Sequence, residues 1–103
     1  MELDVPGFIQ VMELKTSRID EIEAFSKKME QERGDALLAT KVTFTADRDR
    51  PGYYLAIVEF DSYEEAMKNS NDPATGKYFE QMSALLDGPP RYFNLDVRSV
   101  MER

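Results

Sequence analysis

Two carboxylates and one amide, set within apolar stretches, are the groups in this sequence best placed to do chemistry. Glu59 lies in Tyr53 to Phe60 and Asp96 in Tyr92 to Met101. A carboxyl beside apolar walls has its pKa raised, which suits it to take a proton as a general base. Asn94 has an amide that, aimed into a pocket, would orient a carbonyl or a phenol. Each also has a plainer reading: Glu59 and Asp96 as strand-edge charges paired with Arg98, and Asn94 as a group that satisfies backbone where the chain leaves Gly88-Pro89-Pro90. Gln10 and Thr40 are polar positions on otherwise apolar strand faces, which marks either the lining of a cavity or an edge. Tyr53, Tyr54, Tyr78 and Tyr92 offer hydroxyls to a ligand, or large rings to an interface with their tips wet. The candidate ligand contacts are therefore Gln10, Thr40, Tyr54, Tyr92 and Arg98. Met12, Met29, Met67 and Met82 read as adaptable core filler.

What the chain lacks narrows the chemistry further. It contains no histidine, cysteine or tryptophan in 103 residues. Thiol nucleophiles and disulfides are excluded, and any proton transfer falls to Glu, Asp, Lys or Tyr. Only oxygen ligands remain for a metal, and Asp47-Arg48-Asp49-Arg50 alternates acids with cations and has no closing Glu, so it reads as a solvated turn and no metal site is expected. No glycine-rich phosphate loop or serine elbow is present. Twenty acidic against thirteen basic residues give a net charge of -7, which repels phosphate backbones and anionic membrane surfaces. Neither nucleic acid nor membrane is an expected partner. No stretch approaches the ~20 apolar residues of a membrane span, and Met1-Glu2-Leu3-Asp4 lacks the positive segment of a secretion signal. A soluble cytoplasmic protein is the expectation.

The elements that must position these groups follow from hydrophobic period. Phe8 to Leu14 is apolar on both faces, with Phe8, Met12 and Leu14 on one and Ile9 and Val11 on the other, as in a strand covered on both sides. Ser17 with Asp20 resembles a capping box, and Ile19, Ile22, Phe25 and Met29 form the stripe of a helix that runs to about Arg33 and stops at Gly34. Ala36 to Ala46 alternates as a strand, turns through Asp47 to Gly52, and returns as the strand Tyr53 to Phe60. Ser62-Tyr63-Glu64-Glu65 caps a second helix. Asn69 to Pro73 interrupts it, and Asp72 as N-cap with Pro73 at the first position restarts it. Asp87-Gly88-Pro89-Pro90 ends that helix, and Tyr92 to Met101 alternates Phe93, Leu95 and Val97 against Asn94, Asp96 and Arg98.

The order strand, helix, strand, strand, helix, strand predicts one α+β domain over residues 1–103. Its expected form is a ferredoxin-like βαββαβ fold, a four-stranded antiparallel sheet with two helices on one face. Two helices cover one face only, and the other keeps large apolar groups that a monomer would leave in water. Burying ~800 Å² of it per subunit at ~25 cal/mol per Å² gives a gross gain of order 10 kcal/mol before association costs. A homodimer packed sheet to sheet into an α+β barrel is expected.

Nearly the whole chain resembles the dimeric α+β barrel superfamily, and within it the small antibiotic biosynthesis monooxygenase-like proteins. The likeness rests on Val58-Glu59-Phe60, on Ser62 with Glu64-Glu65-Ala66, on the Ser70, Pro73, Thr75 break, and on Asp87-Gly88-Pro89-Pro90 leading to Asn94. It implies two ferredoxin-like subunits whose sheets form a barrel. It also implies roles ranging from oxygenation of quinol-type and polyketide substrates without metal or flavin to haem degradation. Haem degradation in that family depends on a histidine ligand with a nearby tryptophan and asparagine, and this chain has neither histidine nor tryptophan, so no cofactor is expected. Cofactor-free oxygenation needs a phenolic substrate deprotonated and shielded from water, which leaves Asn94, Glu59 and Asp96 as the catalytic candidates. RNA-recognition modules share the order of elements, and Arg50 to Phe60 passingly resembles their aromatic third-strand motif. Here that motif is stretched by inserted residues and the charge has the wrong sign. The expected function is binding of a small apolar or aromatic molecule, with cofactor-independent monooxygenase-like activity as the implied chemistry. The alternative is a non-catalytic dimeric binding, sensing or assembly module.

Overall fold

Period-two alternation in β-branched and aromatic residues builds four strands in the computed structural model, which describes residues 6–103. The acidic start, Met1 to Asp4, lies outside the described residues. Strands β1 (Phe8–Lys15), β2 (Lys41–Ala46), β3 (Tyr53–Phe60) and β4 (Arg91–Asp96) form one antiparallel sheet in the order β2-β3-β1-β4. Helices α1 (Ile19–Arg33), α2 (Tyr63–Asn71) and α3 (Pro73–Ser83) complete the ferredoxin-like α+β fold. The expected second helix is two, because Pro73 has no N–H for the ladder and Asp72 caps α3, its carboxylate accepting from the Ala74 N–H at 2.9 Å. Ser62 caps α2 as expected, accepting from the Glu65 N–H at 3.1 Å.

Other boundaries differ from the sequence reading. Ser17 does not cap α1: Arg18 stands at that position without a side-chain bond, and the Thr16 hydroxyl takes the Arg18 N–H at 2.9 Å. β2 begins at Lys41, not Ala36. Gly34, at φ 51°, turns the chain out of α1 into a short 3-10 turn over Gly34–Ala36, and Leu37 and Ala39 face the interior before the strand starts. β4 ends at Asp96. Beyond the Val97 N–H, which reaches the Gly7 carbonyl, residues 98–103 are exposed and form no strand.

Register decides which side chains share a face. Phe8 opposes Phe60 and Asp96, Gln10 opposes Val58 and Asn94, and Met12 opposes Ala56 and Tyr92. These even-numbered positions face the helices, so Met12, Leu14 and Ala56 pack with Ile22, Tyr78 and Met82 in the main core, and Phe8, Phe60 and Ala66 in a second cluster. Odd-numbered positions face away: Ile9, Val11, Leu55, Ile57, Phe93 and Leu95 make an apolar surface that no helix among the described residues covers. No helix among the described residues is long and apolar enough to cross a membrane.

Candidate functional site

The helices do not fill the space above the sheet. A cavity of about 460 Å³ lies between α1, the ends of α2 and α3, and strands β1 to β3, within the range that holds a small organic ligand. Its apolar wall is made by Met12, Met29, Phe44, Ala56, Val58 and Phe79. A second cavity of about 360 Å³ opens toward β4, where Gln10, Tyr92 and Asn94 line it with Phe60. The two share Met12, Val58, Asn69, Thr75 and Phe79 as a common wall.

Five polar residues enter the larger cavity from the helices. On α1, Ile22, Ser26, Met29 and Arg33 follow the four-three-four spacing of one helical face, so the last polar turn of that face points where its apolar part points. The Arg33 side chain is 9% exposed, and its guanidinium is held at the α1 to α3 corner by two bonds, donating to the Thr75 hydroxyl at 2.8 Å and to the Asp72 carboxylate at 3.1 Å. Its Nε–H has no partner among the described residues. A buried polar group left unbonded costs about 1–3 kcal/mol and calls for a reason. Asn69, in the last turn of α2, is buried, and its amide oxygen accepts from the Leu38 N–H at 3.5 Å. With the oxygen placed there, the NH2 group donates to no protein group among the described residues. Tyr78 shares a short hydrogen bond with Ser26 and packs against Phe25 and Phe79. Burial pushes the Tyr78 phenol above its ordinary value of 10.0, with the Ser26 bond opposing. It therefore keeps its proton at neutral pH and serves as a hydrogen-bonding group there, not a base. Exposed Glu23, Lys27 and Glu30 form the rim.

The sequence candidates are divided by the sheet. Gln10 and Asn94 meet across β1 and β4, the Gln10 amide donating to the Asn94 carbonyl at 3.1 Å, and both line the smaller cavity with Tyr92. Glu59 has odd parity and stands on the uncovered face, opposite Ile9 and Lys41, so it cannot reach either cavity. Asp96 faces the helix side at the sheet's edge, is exposed, and lines neither. Thr40 precedes β2 and donates to the Glu59 carbonyl at 3.1 Å, Tyr54 packs on the core, and Arg98 is exposed beyond β4; none of the three lines a cavity. Arg98 pairs with neither acid. Sequence reasoning missed Ser26, Arg33, Asn69 and Thr75, although the Ile22, Ser26, Met29, Arg33 spacing was a usable signal.

This architecture is the fold of the antibiotic biosynthesis monooxygenase proteins. No protein-family model and no curated protein matches the chain. Among solved structures it is similar to SnoaB, a cofactor-independent oxygenase from Streptomyces nogalater, with a TM-score of 0.76 and 12% identity over 96% of this chain and 100% of that one. It is similar to an antibiotic biosynthesis monooxygenase at TM-score 0.67 and 11% identity, covering 89% and 99% of the two chains. It is also similar to a conserved protein from Methanosarcina mazei Go1 at TM-score 0.71 and 12% identity, covering 88% and 93%.

Proposed function

We propose that this chain acts as a single domain over residues 1–103 that binds a small, largely apolar or aromatic molecule between its sheet and helices. The observation that carries this reading is the 460 Å³ cavity, apolar along the sheet and provided with polar groups from Arg33, Asn69, Thr75 and Tyr78. A well-packed core would have filled that space with side chains. The uncovered apolar face, centred on Val11, Ile57 and Phe93, supports a homodimer packed sheet to sheet. The likeness in fold to a cofactor-independent oxygenase supports cofactor-free oxygenation as the chemistry that would accompany binding.

The positions of the acids favour binding over base catalysis. Neither Glu59 nor Asp96 lines a cavity, and Tyr78 holds its proton. A phenol oxidised here would have to ionise in the field of Arg33, with only the exposed rim carboxylates Glu23 and Glu30 among the described residues of the cavity to take its proton.

Titration calorimetry with 2-naphthol tests the cavity. One saturable site per chain is expected, lost in Ala39→Phe, which places a ring where a half-buried methyl now lines the wall. Absence of binding at millimolar 2-naphthol, or equal binding to the filled variant, would refute it. Oxygen uptake with the same phenol separates oxygenation from binding alone. For the dimer, sedimentation at micromolar concentration giving an 11.9 kDa species would overturn the assembly.

A further inference from the structure

We infer that Arg33 is a positioning residue that acts through the Thr75 hydroxyl to select ligands carrying a carbonyl oxygen over ligands of the same shape without one. The inference rests on the ligand cavity proposed above and adds the chemistry its occupant must present.

Thr75 is 4% exposed and forms part of the wall common to both cavities. Its oxygen already accepts from Arg33 at 2.8 Å. The hydroxyl proton is then left to donate, and no described group accepts it. Behind that proton stands a guanidinium removed from water, its Nε–H unbonded. Its one ion-pair partner among the described residues, Asp72, has a side chain 38% exposed that also holds the Ala74 N–H. Water and the helix terminus thus share Asp72, which leaves part of the Arg33 charge to act on the Thr75 hydroxyl at 2.8 Å. A hydroxyl that accepts from a cation is polarised and donates more strongly. The NH2 of Asn69, on the same common wall, is a second open donor. Two donors and no open acceptor carboxylate in this wall fit an acceptor oxygen. The apolar remainder of the cavity fits an aromatic body, and the class named is an aromatic ketone.

The test compares two neutral probes of one shape, 2-acetylnaphthalene and 2-isopropenylnaphthalene, by calorimetry on the intact protein. The ketone should bind about tenfold more tightly to the wild type, as one well-made hydrogen bond allows. Thr75→Val, which keeps the shape and removes the hydroxyl, should bring that ratio to about one. Arg33→Lys should lower the ratio in a Thr75 background and leave it unchanged when combined with Thr75→Val, an effect a merely structural role would not produce. Asp72→Asn keeps a capping side chain and removes the counter-charge, so it should raise the ratio; it serves where Arg33→Lys does not fold. Binding of both probes with equal affinity would overturn the inference and leave the cavity standing. Binding of neither would overturn both. A ratio abolished by Thr75→Val but indifferent to Arg33→Lys and Asp72→Asn would refute the role of Arg33.

Discussion

Replacing Tyr78 with phenylalanine should produce a stability change that depends on pH in one direction only. The side chain is 7% exposed, with its ring between Phe25 and Phe79 and its hydroxyl on Ser26. Tyr78→Phe keeps the ring and removes one hydrogen bond. Ser26 is half-buried on a helix, where its hydroxyl can turn to water, so the net cost at neutral pH is about 1 kcal/mol. Burial raises the Tyr78 pKa above 10.0, so the folded state holds this proton more firmly than the unfolded chain. Above pH ~10 the unfolded chain therefore binds fewer protons than the native state, and stability falls with rising pH until the folded value is passed. The wild type should lose its advantage over Tyr78→Phe at up to about 1.4 kcal/mol per pH unit in that window. Subtracting one protein from the other cancels the lysines and the other tyrosines. Urea unfolding followed by circular dichroism at half-unit steps from pH 7 to 11.5 measures the difference. It should be flat below pH 9.5 and shrink above 10. A difference that stays constant to pH 11.5 would show that the phenol titrates alike in both states and sink the account of a buried, proton-retaining Tyr78.

Three further outcomes are expected. Gly7→Ala should cost about 2 kcal/mol by thermal or urea unfolding, because a Cβ there would lie 3.1 Å from the Asp61 carbonyl carbon and still nearer its oxygen, while the Gly7 N–H is fixed to the Phe60 carbonyl. Ser62→Ala should cost about 1 kcal/mol and Ser62→Asp much less, since either oxygen-bearing residue can take the Glu65 N–H and alanine cannot. The Asp47 carboxyl, bonded by the Arg50 guanidinium and the Asp49 N–H, should titrate below its ordinary 3.8 by carbon-detected NMR and return toward it in Arg50→Ala. Its folded value is the lower one, so this contribution to stability is present above the unfolded pKa and lost as pH falls through the folded one.

How much of this was legible in the residues differs between fold and site. Periods of two and about three and a half, the Ser62 cap and the Asp72-Pro73 restart all act within a few residues of themselves, and they were readable. Which face of a strand the helices would cover is a long-range fact. Phe93 and Leu95 invite the reading that they point inward, yet register with Gln10 turns Asn94 toward the helices and leaves the apolar pair outside. The same parity puts Glu59 beyond reach of the cavity. Arg33 was hidden differently: a cation in the last turn of a helix reads as a dipole partner for the carbonyls there, and only the packing of α1 over α3 shows it buried.

The interruption at Asp72-Pro73 is also a device for aim. An unbroken α-helix advances about 100° per residue, so positions six apart would diverge by about 120° around its axis. Asn69 and Thr75 would then look in different directions, and one of them would leave the ligand space. By ending one helix and starting another with its own axis, the chain lets the last turn of α2 and the first turn of α3 present their side chains to a single wall. A proline that reads as a flaw in a helix is, in this fold, what makes two short helices converge.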